Sequence, residues 1–123
     1  MGPCDGASAW RRELSRLAAE VAALVRALLR RRRMVRASLI ERHLGTSGGK
    51  RASAAFYLSW AEGGRTRLVY VRRAQVPAVR AQVAAWREHR RLVRRLRRAA
   101  AKLAAVAGQL GEAQAERPGE KRR

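Results

Sequence analysis

Ala54-Ala55-Phe56-Tyr57-Leu58-Ser59-Trp60-Ala61-Glu62-Gly63-Gly64-Arg65-Thr66-Arg67-Leu68-Val69-Tyr70-Val71-Arg72-Arg73 is the stretch from which the rest of the chain is read. Gly63-Gly64 divides two runs of aromatic and β-branched residues. Two glycines between such runs signal a two-residue hairpin loop, whose central positions need φ > 0. The register then follows: Glu62 opposite Arg65, Ala61 opposite Thr66, Trp60 opposite Arg67, Ser59 opposite Leu68, Leu58 opposite Val69, Tyr57 opposite Tyr70 and Phe56 opposite Val71. Side chains alternate between faces. Phe56, Leu58, Trp60, Val69 and Val71 share one face, the expected core, with Arg67 laid across Trp60. Tyr57, Tyr70, Ser59, Leu68 and Thr66 share the other, which is amphipathic.

Working outward, residues 34–43 (Met-Val-Arg-Ala-Ser-Leu-Ile-Glu-Arg-His) could continue a helix or form a strand. An isolated two-stranded ribbon is marginal, so an extended segment beside the hairpin is the expectation. Residues 44–53 read as a flexible Gly/Ser loop carrying Lys50 and Arg51. Their Gly45-Thr46-Ser47-Gly48-Gly49-Lys50 lacks the spacing and the strand-to-helix context of a phosphate-binding loop.

Helical patterns flank this centre. From about 9 to 31, Trp10, Leu14, Leu17, Val21, Leu24 and Leu28 recur at alternating spacings of four and three, a heptad seam that Val25 and Leu29 widen. Asp5 or Ser8 would cap it. Arg30-Arg31-Arg32-Arg33 would close it, either complementing the helix dipole or binding a partner. The second pattern runs from about 75 to 107, its start fixed by Pro77, which is tolerated in a first turn. A 100°-per-residue wheel puts Val79, Val83, Trp86, Leu92, Val93, Leu96, Ala100, Leu103 and Ala107 on one face. Arg80, Arg87, Arg91, Arg94, Arg95 and Arg98 gather on a neighbouring arc. Arg90 and Arg97 fall near the apolar face, where their stems can snorkel. Gly108 and Gly111 weaken the end, and residues 111–123 read as a disordered charged tail.

The fold expected is therefore α+β in a single domain over 1–110. A long N-terminal helix leads to a small antiparallel β unit over about 34–72. A long C-terminal helix then packs back as a coiled-coil-like pair. At roughly 50 Å against 33 Å, the second helix would overhang the first. That would leave about Leu96 to Leu110 uncovered and suggests a homodimer through the helix seams.

Composition sets the partner class. The chain of 123 residues has 29 Lys+Arg against 9 Asp+Glu, a formal net charge of +20. Only Lys50, Lys102 and Lys121 are lysine. Such a chain repels itself and attracts polyanions. One cysteine, Cys4, allows neither an intramolecular disulfide nor a cysteine-based zinc site. No apolar run is long enough to span a membrane, and no signal peptide is recognisable, so a cytoplasmic location is expected.

Catalysis finds little support. His43 and His89 fall in different elements, and Asp5 beside Cys4 disfavours a thiolate. No enzyme activity, cofactor or metal is expected. The arc Arg80, Arg87, Arg91, Arg94, Arg95 and Arg98 offers guanidinium forks for a phosphate backbone. Arg65, Arg67, Arg72, Arg73, Lys50 and Arg51 would extend that patch. Tyr57 and Tyr70 either stack on exposed bases or pack on each other across the strands. Nucleic acid, DNA ahead of RNA, is the expected partner, bound mainly through phosphates. The alternative is a structural or adaptor module that self-associates through its helices and binds an acidic protein.

Residues 34–96 resemble an uncharacterised family of small bacterial proteins often seen in transposase-rich gene neighbourhoods. The likeness lies in Ala37-Ser38-Leu39-Ile40-Glu41-Arg42, Phe56-Tyr57-Leu58-Ser59-Trp60, Gly63-Gly64-Arg65-Thr66-Arg67, Val69-Tyr70-Val71 and the helix through Trp86. The family pattern includes a Cys-rich knuckle and a His-Gly-Pro, both missing here, and Arg72 stands where it has proline. The resemblance implies the strand-plus-hairpin arrangement and a mobile-element context. It carries no activity, and the missing cysteines leave no metal site to transfer.

Overall fold

The structure, a computed structural model, describes residues 3–44, 53–116 and 118–119. It is α+β: helix α1 (Pro3–Leu28), strands β1 (Ser38–Leu44), β2 (Ser53–Glu62) and β3 (Arg65–Val71), and helix α2 (Val76–Gln114). A single 3-10 turn, Arg73–Gln75, leads into α2. The chain forms two compact units, Arg31–Arg90 and Met1–Arg30 with Arg91–Arg123. α2 contributes its first part to one and its remainder to the other.

In the sheet unit the strands lie in the order β1-β2-β3, all antiparallel. All seven pairs expected of the hairpin are present, from Glu62 opposite Arg65 to Phe56 opposite Val71. Gly63 and Gly64 have φ of 56° and 76°, the left-handed backbone that a two-residue loop needs. The third strand is also present: β1 pairs with β2 from Ser38 opposite Ser59 to Leu44 opposite Ser53. Pro77 stands in the first turn of α2, where a missing N–H costs nothing.

The expected core face of the hairpin closes only at one end. α2 leaves from the Val71 end of β3, and there Val71, Val76 and Val83 are buried, with the Arg80 guanidinium 5.9 Å from the Phe56 ring centre. Toward the turn the cover is lost. Val69 is 49% exposed, and Leu58 and Trp60 are only half-buried. Arg67 lies opposite Trp60 in the ladder, but its Nε points to Glu62 Oε2 at 3.4 Å rather than across the ring. Along α2, the irregular segment 31–37 passes close enough for Val35 N–H to donate to Gln82 C=O at 3.1 Å.

In the helical unit, α1 packs along the later part of α2. Leu17 is 1% exposed and Leu24 is buried, with Trp10, Leu14, Val21 and Leu28 half-buried on the same seam. Leu24, Leu92 and Ala99 form a cluster against which Val21, Ala27, Leu28 and Leu96 pack. Val25 and Leu29 do not widen this seam; Leu29 is 74% exposed. On α2 the seam reads Leu92, Leu96, Ala99, Leu103, Val106 and Leu110. Ala100 and Ala107, placed on it by the 100° wheel, are exposed. A helix pair keeps contact along a 3.5-residue repeat, and the wheel drifts about 20° per heptad away from it.

Element ends also differ from expectation. α1 begins at Pro3, so Asp5 and Ser8 lie inside the helix rather than capping it, and it ends at Leu28. Arg31, Arg32 and Arg33 therefore fall beyond its C-terminus, exposed in the irregular segment. α2 continues through Gly108 and Gly111 to Gln114, seven residues past the expected end at 107 and into the expected tail. Half-burial of Val106 and Leu110 against the partner seam outweighs the roughly 1 kcal/mol that each helical glycine costs. The expected overhang is absent. Arg11 donates to Gln114, which places the start of α1 beside the end of α2. The sheet unit takes the first turns of α2, leaving a helix length that α1 can cover. A homodimer through the seams rested on that overhang, and the seams are used within the chain.

Candidate functional site

Two features of different chemistry emerge, one in each unit. In the helical unit, Arg91, Arg95, Arg98 and Lys102 recur at i, i+4, i+7 and i+11, with Arg94 beside them. That spacing makes one stripe down a helix face. All five side chains are exposed. The stripe spans about 16 Å along the axis. α2 has no acidic residue between Glu88 and Glu112, so intrahelical compensation is scarce. Among the described residues, no ion pair engages Arg94, Arg95, Arg98 or Lys102, whereas Arg16 of α1 is held by Glu13 and Glu20. Lys102, four residues after Arg98 and seven after Arg95, lies on the same arc, which the arginine pattern alone does not reveal.

In the sheet unit, an open groove of about 490 Å³ is lined by Arg36, Ser59, Trp60, Glu62, Trp86, Arg87 and Arg90, together with Ala37, Ser38 and Ala61. Arg36 lies over the Trp86 ring at 5.7 Å, and His89, one turn on, lies nearly parallel to it at 6.2 Å. Contacts of this kind are each worth about 0.5–1.5 kcal/mol, enough to orient the indole. Arg36, Arg90 and the two tryptophans were not expected as site residues. Their hydrophobic placement made Trp60 and Trp86 look like core, and Arg36 precedes its strand without a motif.

The remaining expected residues disperse. Arg80 covers Phe56, and Arg87 belongs to the groove. Arg65, Arg67, Arg72 and Arg73 are exposed, with Arg67 paired to Glu62. Lys50 and Arg51 lie outside the described residues. Tyr57 and Tyr70 meet edge-to-face with centroids 5.7 Å apart, and Arg42 lies over Tyr57 at 5.7 Å. Tyr70 is nonetheless 59% exposed. His43 and His89 stay apart, His43 lying 3.8 Å from Glu41 on the exposed face of β1. Among the described residues no cluster of His, Cys, Asp or Glu could hold a metal ion, and no helix is long and apolar enough to cross a membrane.

No family model matches the chain, no curated protein is detectably similar to it, and no solved structure matches it. The resemblance of residues 34–96 therefore rests on the quoted motifs alone.

Proposed function

We propose that the protein is a non-enzymatic nucleic-acid-binding protein that holds DNA mainly through its phosphates. The observation that carries this reading is the exposed stripe of Arg91, Arg94, Arg95, Arg98 and Lys102 on a helix face with no acid between Glu88 and Glu112. Guanidinium groups present paired donors to phosphate oxygens, and such contacts fix position without reading sequence. The sequence carries no helix-turn-helix, zinc-finger or RNA-recognition signature, so the proposal is of backbone binding. A cytoplasmic location and the mobile-element context implied by the resemblance belong to the same proposal.

The test is a salt series of duplex binding for the wild type and for a variant with Arg94, Arg95 and Arg98 all changed to Gln. Each phosphate contact contributes about 0.9 to the slope of log K against log salt. The variant is expected to lose affinity and to reduce the slope by roughly 2.7. A wild-type affinity that does not fall with salt, or a variant with an unchanged slope, sinks the reading.

A further inference from the structure

We propose that the groove beside the end of β2 takes one unpaired nucleotide of a single-stranded nucleic acid, its base against Trp60 and its phosphate against Arg87 and Arg90. The proposal rests on the nucleic-acid reading for the class of partner. It adds the strand state and the residues that would sense it.

The groove's volume, about 490 Å³, falls within the range of small-molecule sites. Its two indoles have different surroundings. Trp86 has Arg36 over its ring and His89 alongside, so it forms a fixed wall. Trp60 has neither a ring nor a guanidinium against it among the described residues, and it is half-buried. Trp60 therefore lines the groove with no ring or cation contact already made, in company with Arg36, Arg87 and Arg90. Aromatic faces next to cations are how proteins hold unstacked bases and the phosphates joined to them.

The backbone supplies a second polar element. With Gly63-Gly64 as the whole loop, Glu62 and Arg65 form a hydrogen-bonded pair, and so do Trp60 and Arg67. Ala61, between them, turns its N–H and C=O to the opposite edge of β2. β1 stops pairing at Ser38 opposite Ser59, so no strand lies beside that edge. Ala61 lines the groove together with Ser38 and Ser59. Glu62 adds a carboxylate acceptor whose charge is offset by Arg67 at 3.4 Å. Donors and acceptors beside an aromatic face suit a base edge. A base within a duplex has both faces covered by its neighbours, so only an unstacked base can use Trp60.

The experiment measures anisotropy of a labelled oligothymidylate and of a matched duplex at fixed salt, using the full chain. Trp60→Leu keeps apolar bulk but removes the π face. It is expected to weaken single-strand binding about 10-fold and duplex binding less than about 2-fold, with Trp60→Phe retaining most affinity. Arg90→Gln is expected to weaken single-strand binding by a similar factor. The stripe variant, with Arg94, Arg95 and Arg98 changed to Gln, weakens both substrates alike. The groove proposal is overturned, with the phosphate reading intact, if the stripe variant acts but Trp60→Leu and Arg90→Gln leave the ratio of single-strand to duplex affinity unchanged. Equal losses for Trp60→Leu and Trp60→Phe also overturn it, as does polyglutamate binding with the same dependence on Trp60. Should Trp60→Leu fail to fold, photocrosslinking of a bromodeoxyuridine oligonucleotide to the wild type decides. Adducts on Trp60 or Trp86 support the groove, and adducts confined to residues 94–102 overturn it.

Discussion

Gly63 and Gly64 support the hairpin through backbone conformation alone. Both have positive φ, and a Cβ added at either would meet no atom within 4 Å. A side chain there has room, so its cost is that of the left-handed backbone, about 1–2 kcal/mol. Gly64→Ala is expected to lower stability to denaturant by roughly that amount. Gly63→Asn is expected to cost less, because asparagine tolerates this region. Equal, negligible effects would show that the loop does not set the register. These glycines made the hairpin legible: two residues with one conformational requirement determine seven cross-strand pairs. Trp60 and Trp86 were not legible in the same way. Alternation and helical spacing tell which side chains share a face. They do not tell where the cover on that face stops, and Trp60 lies where it stops.

At the level of elements, the informative case is α2. Its apolar residues were legible, but its register was not. A 100° wheel selects Ala100 and Ala107, whereas the helix pair buries Ala99 and leaves Ala100 exposed. The difference decides an experiment. Ala99→Glu puts a carboxylate into the seam beside Leu24 and Leu92 and is expected to cost about 2–4 kcal/mol. Ala100→Glu is expected to stay within about 0.5 kcal/mol of the wild type. Thermal denaturation followed by circular dichroism compares the two. Equal losses would contradict the heptad register. Helix ends were illegible for a related reason. Gly108 and Gly111 lower local propensity, yet Val106 and Leu110 on the seam carry α2 past them, and tertiary contact of this kind has no signature in a local window.

For the whole molecule, charge is the dominant quantity, and it predicts opposite salt effects on stability and on binding. Of the 9 acidic residues, only Glu41, Glu62 and Glu88 fall within Arg31–Arg90, so neither unit compensates its arginines. None of the charged side chains described is buried, so the repulsion acts through solvent and is open to screening. The Debye length shortens from about 10 Å at 0.1 M salt to 3 Å at 1 M. That distance is shorter than the separation of successive turns along the Arg91 to Lys102 stripe, about 5.4 Å each. Added salt is therefore expected to raise the thermal midpoint, by roughly 5 °C if screening restores about 1 kcal/mol. The same salt is expected to weaken the proposed nucleic-acid binding steeply. A polyanion bound at low salt should raise the midpoint by linkage, and that gain should vanish as salt releases it. Scanning calorimetry across a salt series, with and without oligonucleotide, reads both effects together. If the free protein's midpoint falls with salt, ion pairs such as Arg16 with Glu13 outweigh the repulsion, and the net charge is not what limits stability.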